Sequence, residues 1–149
     1  MNNNNNLDAI YNKLSDGMQQ LSSTEKKMEY LSTALHDSFE HYFWVGFYSP
    51  HEKEMLIGPS AGPPACAAIG YEGVCGAAYN SGKSVIVADV DEFPGHIACD
   101  PNAKSEIVVP VKNSDGVVIA LLDVDSDRLG AFNESDAVLL EKLVSELSA

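Results

Sequence analysis

A chain of 149 residues, 45% hydrophobic and 21% charged, is long enough to bury a core without disulfide or metal staples and has the composition of one globular domain. Its net charge of −13, from 22 acidic against 9 basic side chains with no basic run beyond Lys26-Lys27, repels phosphate backbones, so neither nucleic acid nor a membrane is expected as a partner. Apolar runs such as "GVVIALL" at 116–122 fall far short of a membrane span of about 20 residues, and "MNNNNN" lacks the charged-then-apolar order of a leader. The expected location is cytoplasmic, where three cysteines, an odd number, point to reactivity or packing rather than to a disulfide framework.

Residues 1–6 are expected to form a disordered Asn-rich tail and residues 7–149 a single domain. Leu7, Ile10, Leu14, Met18 and Leu21 recur at three- and four-residue spacing, which predicts an amphipathic helix. A second helix is predicted behind Ser22 and Glu25, a capping-box pattern, with Met28, Leu31, Leu35 and Phe39 as its stripe. The period then shortens: "HYFWVGFYS" at 41–49 and "EMLIGPS" at 54–60, joined through "SPHEK", read as a β-hairpin. "AGPPA" at 61–65 can be neither helix nor central strand, because proline lacks the N–H donor and fixes its own φ; it is a loop ending on Cys66. "GVCGAAYNSGK" at 73–83 predicts a short helix carrying Cys75 and ending near Gly82, followed by a strand, "SVIVADV", at 84–90. A long polar connection then carries Cys99. Residues 105–126, "SEIVVPVKNSDGVVIALLDVDS", are two apolar strands about a Ser114-Asp115-Gly116 turn. Asn133 caps a closing helix with the stripe Ala137, Leu140, Val144 and Leu147. Hairpin-linked strands with helices gathered at the ends predict an α+β fold, an antiparallel sheet of about six strands with flanking helices.

The residues able to carry chemistry are Cys66, Cys75 and Cys99, with His96, Glu106, Asp123 and Asp125 as polar company. Each cysteine can be a small core hydrophobe, and Cys75, between Val74 and Gly76, suits that role best. A tetrahedral zinc shell is disfavoured, because the cysteines lie nine and then 24 residues apart rather than in tight knuckle pairs, and no metal or other cofactor is expected. Thiol redox chemistry remains. A thiolate needs nearby positive charge or hydrogen-bond donors, which the turn after Cys99, His96 and Lys104 can supply, together with a second cysteine within disulfide reach. Asp123 and Asp125 are two residues apart in one strand and so share a face. Counting back from the turn brings Glu106 near them. Such a cluster either binds a cation or raises its own pKa values so that one group stays protonated as an acid; the alternative is a strand end reaching solvent.

In this order, "WVGFY", "GPPAC", "GVCG", "DVDEFPGHIACD", "SEIVVPV", "LLDVDS" and "LGAFNESD" closely resemble the free methionine-(R)-sulfoxide reductases, single-domain GAF proteins. The resemblance covers roughly residues 43–136, and the "FPGHIACD…SEIVVP" block is specific to this family among GAF domains. It implies that Cys99 is the nucleophile that attacks sulfur and becomes a sulfenic acid. Cys66 would then be the resolving cysteine and Cys75 an auxiliary one. Glu106, Asp123 and Asp125 would form the acidic pocket, with Trp44 around the substrate's methyl end. It implies thioredoxin as electron donor and a homodimer. This chain departs from the family's usual "GKPACTRIPFGRGVCG": "GPPACAAIGYEGVCG" is one residue shorter between its cysteines, with Ala67-Ala68 in place of Thr-Arg and Glu72 in place of a basic residue. Lys104 stands where arginine is common, which keeps charge but not bidentate geometry. The rival functions are a ligand-binding GAF sensor and a thiol redox sensor without turnover.

Overall fold

The structure, a computed structural model, describes residues 3–96 and 100–147, with side chains from residue 6 onward. Its centre is one antiparallel sheet. In chain order the strands are β1 (Trp44–Pro50), β2 (Met55–Ala61), β3 (Ala68–Ile69), β4 (Val85–Val87), β5 (Ser105–Lys112) and β6 (Val118–Ser126), arranged β3-β2-β1-β6-β5-β4. The helices are α1 (Asn3–Gln19), α2 (Thr24–Ser38), α3 (Val74–Ser81) and α4 (Glu134–Val144).

Strand alternation sorts the side chains into two cores. Val45 and Phe47 of β1, Ile107 and Val109 of β5, and Leu122 and Val124 of β6 face α1, α2 and α4, where they meet Leu14, Leu31, Leu35 and Leu140. On the opposite face, Trp44, Tyr48, Met55, Val108 and Leu121 meet Val74, Cys75 and Ala78 of α3. A sheet covered on both faces explains why β5 and β6 read as near-continuous apolar runs rather than as clean alternation. The closing helix is tied to this frame by its cap. The Asn133 side chain accepts from the backbone of Ser135 and Asp136, and Asp136 Oδ2 accepts from the Asn133 N–H at 2.9 Å. Asp136 Oδ1 accepts from the buried Tyr42 hydroxyl at 2.7 Å, so one carboxylate serves both the cap and the core.

Several boundaries differ from the sequence-based expectation. Helix α1 begins at Asn3, inside the run expected to be a disordered tail at 1–6. The N-cap of α2 is Ser23, whose hydroxyl accepts from the Lys26 N–H at 3.1 Å, one residue later than the Ser22 pattern suggests. The strand expected over 84–90 is only Val85–Val87, because the Asp89 side chain accepts from the Asp91 N–H and opens a 3-10 turn at Val90–Glu92. The two-residue β3, just after Cys66, pairs Ala68 and Ile69 with Leu56 and Met55.

Candidate active site

The side of the sheet facing α3 changes chemistry along its length. At one end β6 presents Leu121; two and four residues on, the same face carries Asp123 and Asp125. Register places Asp125 between Trp44 of β1 and Glu106 of β5, and Asp123 between Gly46 and Val108. Gly46 is required here: a Cβ at this position would stand 2.4 Å from the Trp44 indole, which lies over it. The resulting pocket is walled by Trp44 and Tyr48, floored by Glu106, Asp123, Asp125 and Cys75, and closed on one side by His96. The loop residues Pro64 and Ala65, immediately before Cys66, complete its rim.

Two tight backbone approaches set this geometry. Helix α3 packs so closely that a Cβ at Gly76 would collide with the Tyr71 carbonyl, which lets Cys75 reach the sheet. The turn carrying His96 contains Gly95 at φ +79°, with the Glu72 carbonyl oxygen only 2.7 Å from where a Cβ would stand. This turn sets the His96 Nε2 3.5 Å from Glu106 Oε1.

Glu106 and Asp123 are each only 6% exposed, and Asp125 is partly exposed at the rim. Burial, then the charge of Asp125, pushes the Glu106 carboxyl up to about 8. Burial and the nearby Glu106 hold Asp123 well above the usual carboxylate range, and burial with Asp123 does the same for Asp125. The Cys75 thiol is pushed up by burial, then by Asp123, so it is a poor nucleophile where it stands. Burial lowers the pKa of His96, which keeps that ring neutral. Among the described residues, Asp123 Oδ1 is buried without a hydrogen-bond partner. The site thus holds carboxylic acids able to donate protons at neutral pH, and one buried carboxyl oxygen, Asp123 Oδ1, that lacks a partner among the described residues.

Of the residues expected from sequence, Trp44, Cys75, Glu106, Asp123 and Asp125 meet in this pocket. Cys66 is disulfide-bonded, and its carbonyl accepts from the Tyr48 hydroxyl at 2.8 Å; Cys75 is a free, buried thiol. Cys99 lies outside the described residues. Tyr48 was not singled out in the sequence. Its signal was there, since it is four residues beyond Trp44 and so on the same face of β1.

A GAF domain family profile matches residues 27–149. GAF domain-containing protein A of Dictyostelium discoideum is 45% identical over 119 residues, 78% of this chain and 74% of that protein. The free methionine-R-sulfoxide reductase of Escherichia coli strain K12 is 39% identical over 119 residues, 78% of this chain and 70% of that protein. The X-ray structure of free methionine-R-sulfoxide reductase from Neisseria meningitidis in complex with its substrate superposes with a TM-score of 0.89 at 37% identity, covering 95% of this chain and 85% of that one. Motifs, sheet order and relatives therefore agree, and the chain belongs to the GAF domain family and, within it, to the free methionine-R-sulfoxide reductases.

Proposed function

We propose that this protein, a member of an oxidoreductase family, reduces free L-methionine-(R)-S-oxide to methionine by thiol chemistry. The observation that carries the reading is the row Trp44, Asp125, Glu106 across three strands, with Asp123 beside it, at the floor of one pocket. A free amino acid differs from a peptide residue by its ammonium group, and carboxylates bind that group directly. Asp123 and Asp125 take this part, and the orphaned Asp123 oxygen supports it. Trp44 packs against the methyl end.

In the first step the Cys99 thiolate attacks the sulfoxide sulfur while Glu106, holding its proton at neutral pH, protonates the departing oxygen. The S–O bond breaks, the oxygen passes to the Cys99 sulfur as sulfenic acid, and methionine leaves as the thioether. The Cys66 thiol then attacks the sulfenic sulfur, expelling water and forming a disulfide, which prevents further oxidation. A dithiol, thioredoxin by family resemblance, returns both cysteines to thiols and is itself oxidised to a disulfide. That Cys66 is disulfide-bonded while Cys75 is free supports this division, with Cys75 auxiliary.

The test is turnover of the separated R and S epimers of free methionine sulfoxide, and of the peptide-bound form, by wild type and Cys99→Ser under excess dithiothreitol. Turnover of the free R epimer alone, abolished in the variant, is expected. No turnover by reduced wild type would refute the proposal and favour a sensor that responds to peroxide once per thiol pair.

A further inference from the structure

We infer that the pocket floor is also a binding site for a thiophilic divalent cation of the zinc class, held by Cys75 Sγ, a Glu106 oxygen and an Asp123 oxygen. These three ligand atoms, contributed by α3, β5 and β6, lie within 4.8 Å of one another. All three residues are buried, between 3% and 6% exposed, so the donors are held by packed elements rather than by loops. A second observation points to a cation: Asp123 Oδ1 has no hydrogen-bond partner among the described residues. A buried carboxylate oxygen in that condition is destabilised until a donor or a positive charge reaches it.

Metal–ligand bonds of about 2.0–2.3 Å place neighbouring tetrahedral donors roughly 3.5 Å apart, so the ligands need close by no more than about 1.5 Å. That is within the range of χ rotation of the Glu106 and Asp123 carboxylates. The donor set decides the class of ion. Magnesium and calcium take oxygen shells, whereas a thiolate with two carboxylates suits zinc or cadmium. Three protein ligands leave the fourth position open toward the pocket, and His96 in the pocket wall, 3.5 Å from Glu106, can orient that carboxylate. Binding expels the Cys75 proton, and any proton on the two carboxyls, into solvent, so affinity rises with pH. The cation occupies the carboxylates that the proposed substrate needs, so it acts as a competitive inhibitor.

The test uses the full chain with its Cys66 disulfide intact, in which Cys75 is the free thiol among the described residues. Zinc binding is measured by equilibrium dialysis, and cadmium binding by the sulfur-to-cadmium charge-transfer absorption in the ultraviolet. One zinc per chain is expected, undisturbed by excess magnesium or calcium. Cys75→Ser should abolish the cadmium band, and Asp123→Asn should weaken zinc binding by about tenfold or more. Asp123→Asn keeps the shape of the side chain and cannot ionise, so it serves if Cys75→Ser fails to fold. Substoichiometric zinc, or zinc binding unchanged in Asp123→Asn, would overturn the inference. Because the readout is metal bound rather than product formed, its failure is separate from a failure of the reductase reading.

Discussion

Replacing Glu106 by glutamine should stabilise the protein while disabling it, and the stabilisation should depend on pH. Glu106 rises from an ordinary 4.5 to about 8 because burial and Asp125 penalise its charge. At about 1.4 kcal/mol per pH unit, that displacement corresponds to roughly 5 kcal/mol of preference for the protonated form in the folded state. The folded state therefore binds more protons than the unfolded one between about pH 4.5 and 8, and stability falls as pH rises through that window. Glutamine has the same shape and cannot ionise. A buried amide carries a desolvation cost of its own, so the variant recovers only part of the penalty, about 2–3 kcal/mol at pH 8.5 and close to nothing at pH 4.5. Urea unfolding of both proteins at the two pH values measures the difference directly. An advantage of equal size at both, or a variant less stable than wild type at pH 8.5, would refute the picture of a buried carboxyl held protonated by its neighbours. The same variant should lose reductase turnover by about 100-fold or more, as expected when a general acid is removed.

Three further outcomes follow from the site. In wild type the rate with saturating reductant should fall above about pH 8 as Glu106 gives up its proton, and a profile that continues to rise through pH 9 would remove Glu106 from the acid's role. Cys66→Ser should still release about one methionine per chain in a single turnover, while thioredoxin-supported turnover falls roughly tenfold or more, because the sulfenic acid then lacks an internal partner; mass spectrometry of the Cys99 peptide would show the oxidised thiol. Gly95→Ala forces a side chain into φ +79° against the Glu72 carbonyl, at a cost of about 2 kcal/mol or more, and should lower Tm by roughly 4–8 °C with a matching loss of activity. Gly116→Ala is the control, since φ is +83° but open space surrounds it, and activity should survive the milder loss of stability.

Much of this architecture was legible because local chemistry and tertiary structure agree. The Asn133 cap, the three- and four-residue stripes of α1, α2 and α4, and the Asn113–Gly116 turn joining β5 to β6 are all decided by neighbouring residues. The carboxylate cluster was legible for the same reason: a short turn fixes register, and register puts Glu106 opposite Asp125. What escaped depends on distant partners. The two-residue β3 exists only because β2 offers Met55 and Leu56 to pair with. Nothing in "GVCG" tells that the backbone of Tyr71 will lie against Gly76 and so bring Cys75 to Asp123. The start of α1 at Asn3 runs against the weak helix propensity of asparagine; Leu7 and Ile10 pack on the core and carry the turn before them.

The partition of the sheet into an apolar face and a face that ends in acids also constrains how the chain can misfold. If β5 and β6 were to swap faces together relative to β1, Glu106, Asp123 and Asp125 would turn toward the layer holding Leu14, Leu31 and Leu140, all three fully buried apolar side chains. Burying three unpaired carboxyls there would cost several kcal/mol each unless all were protonated. The groups proposed to recognise substrate therefore also proofread strand register. A variant that replaced all three with leucine or valine would be expected to lose not only its ligand but the uniqueness of its sheet.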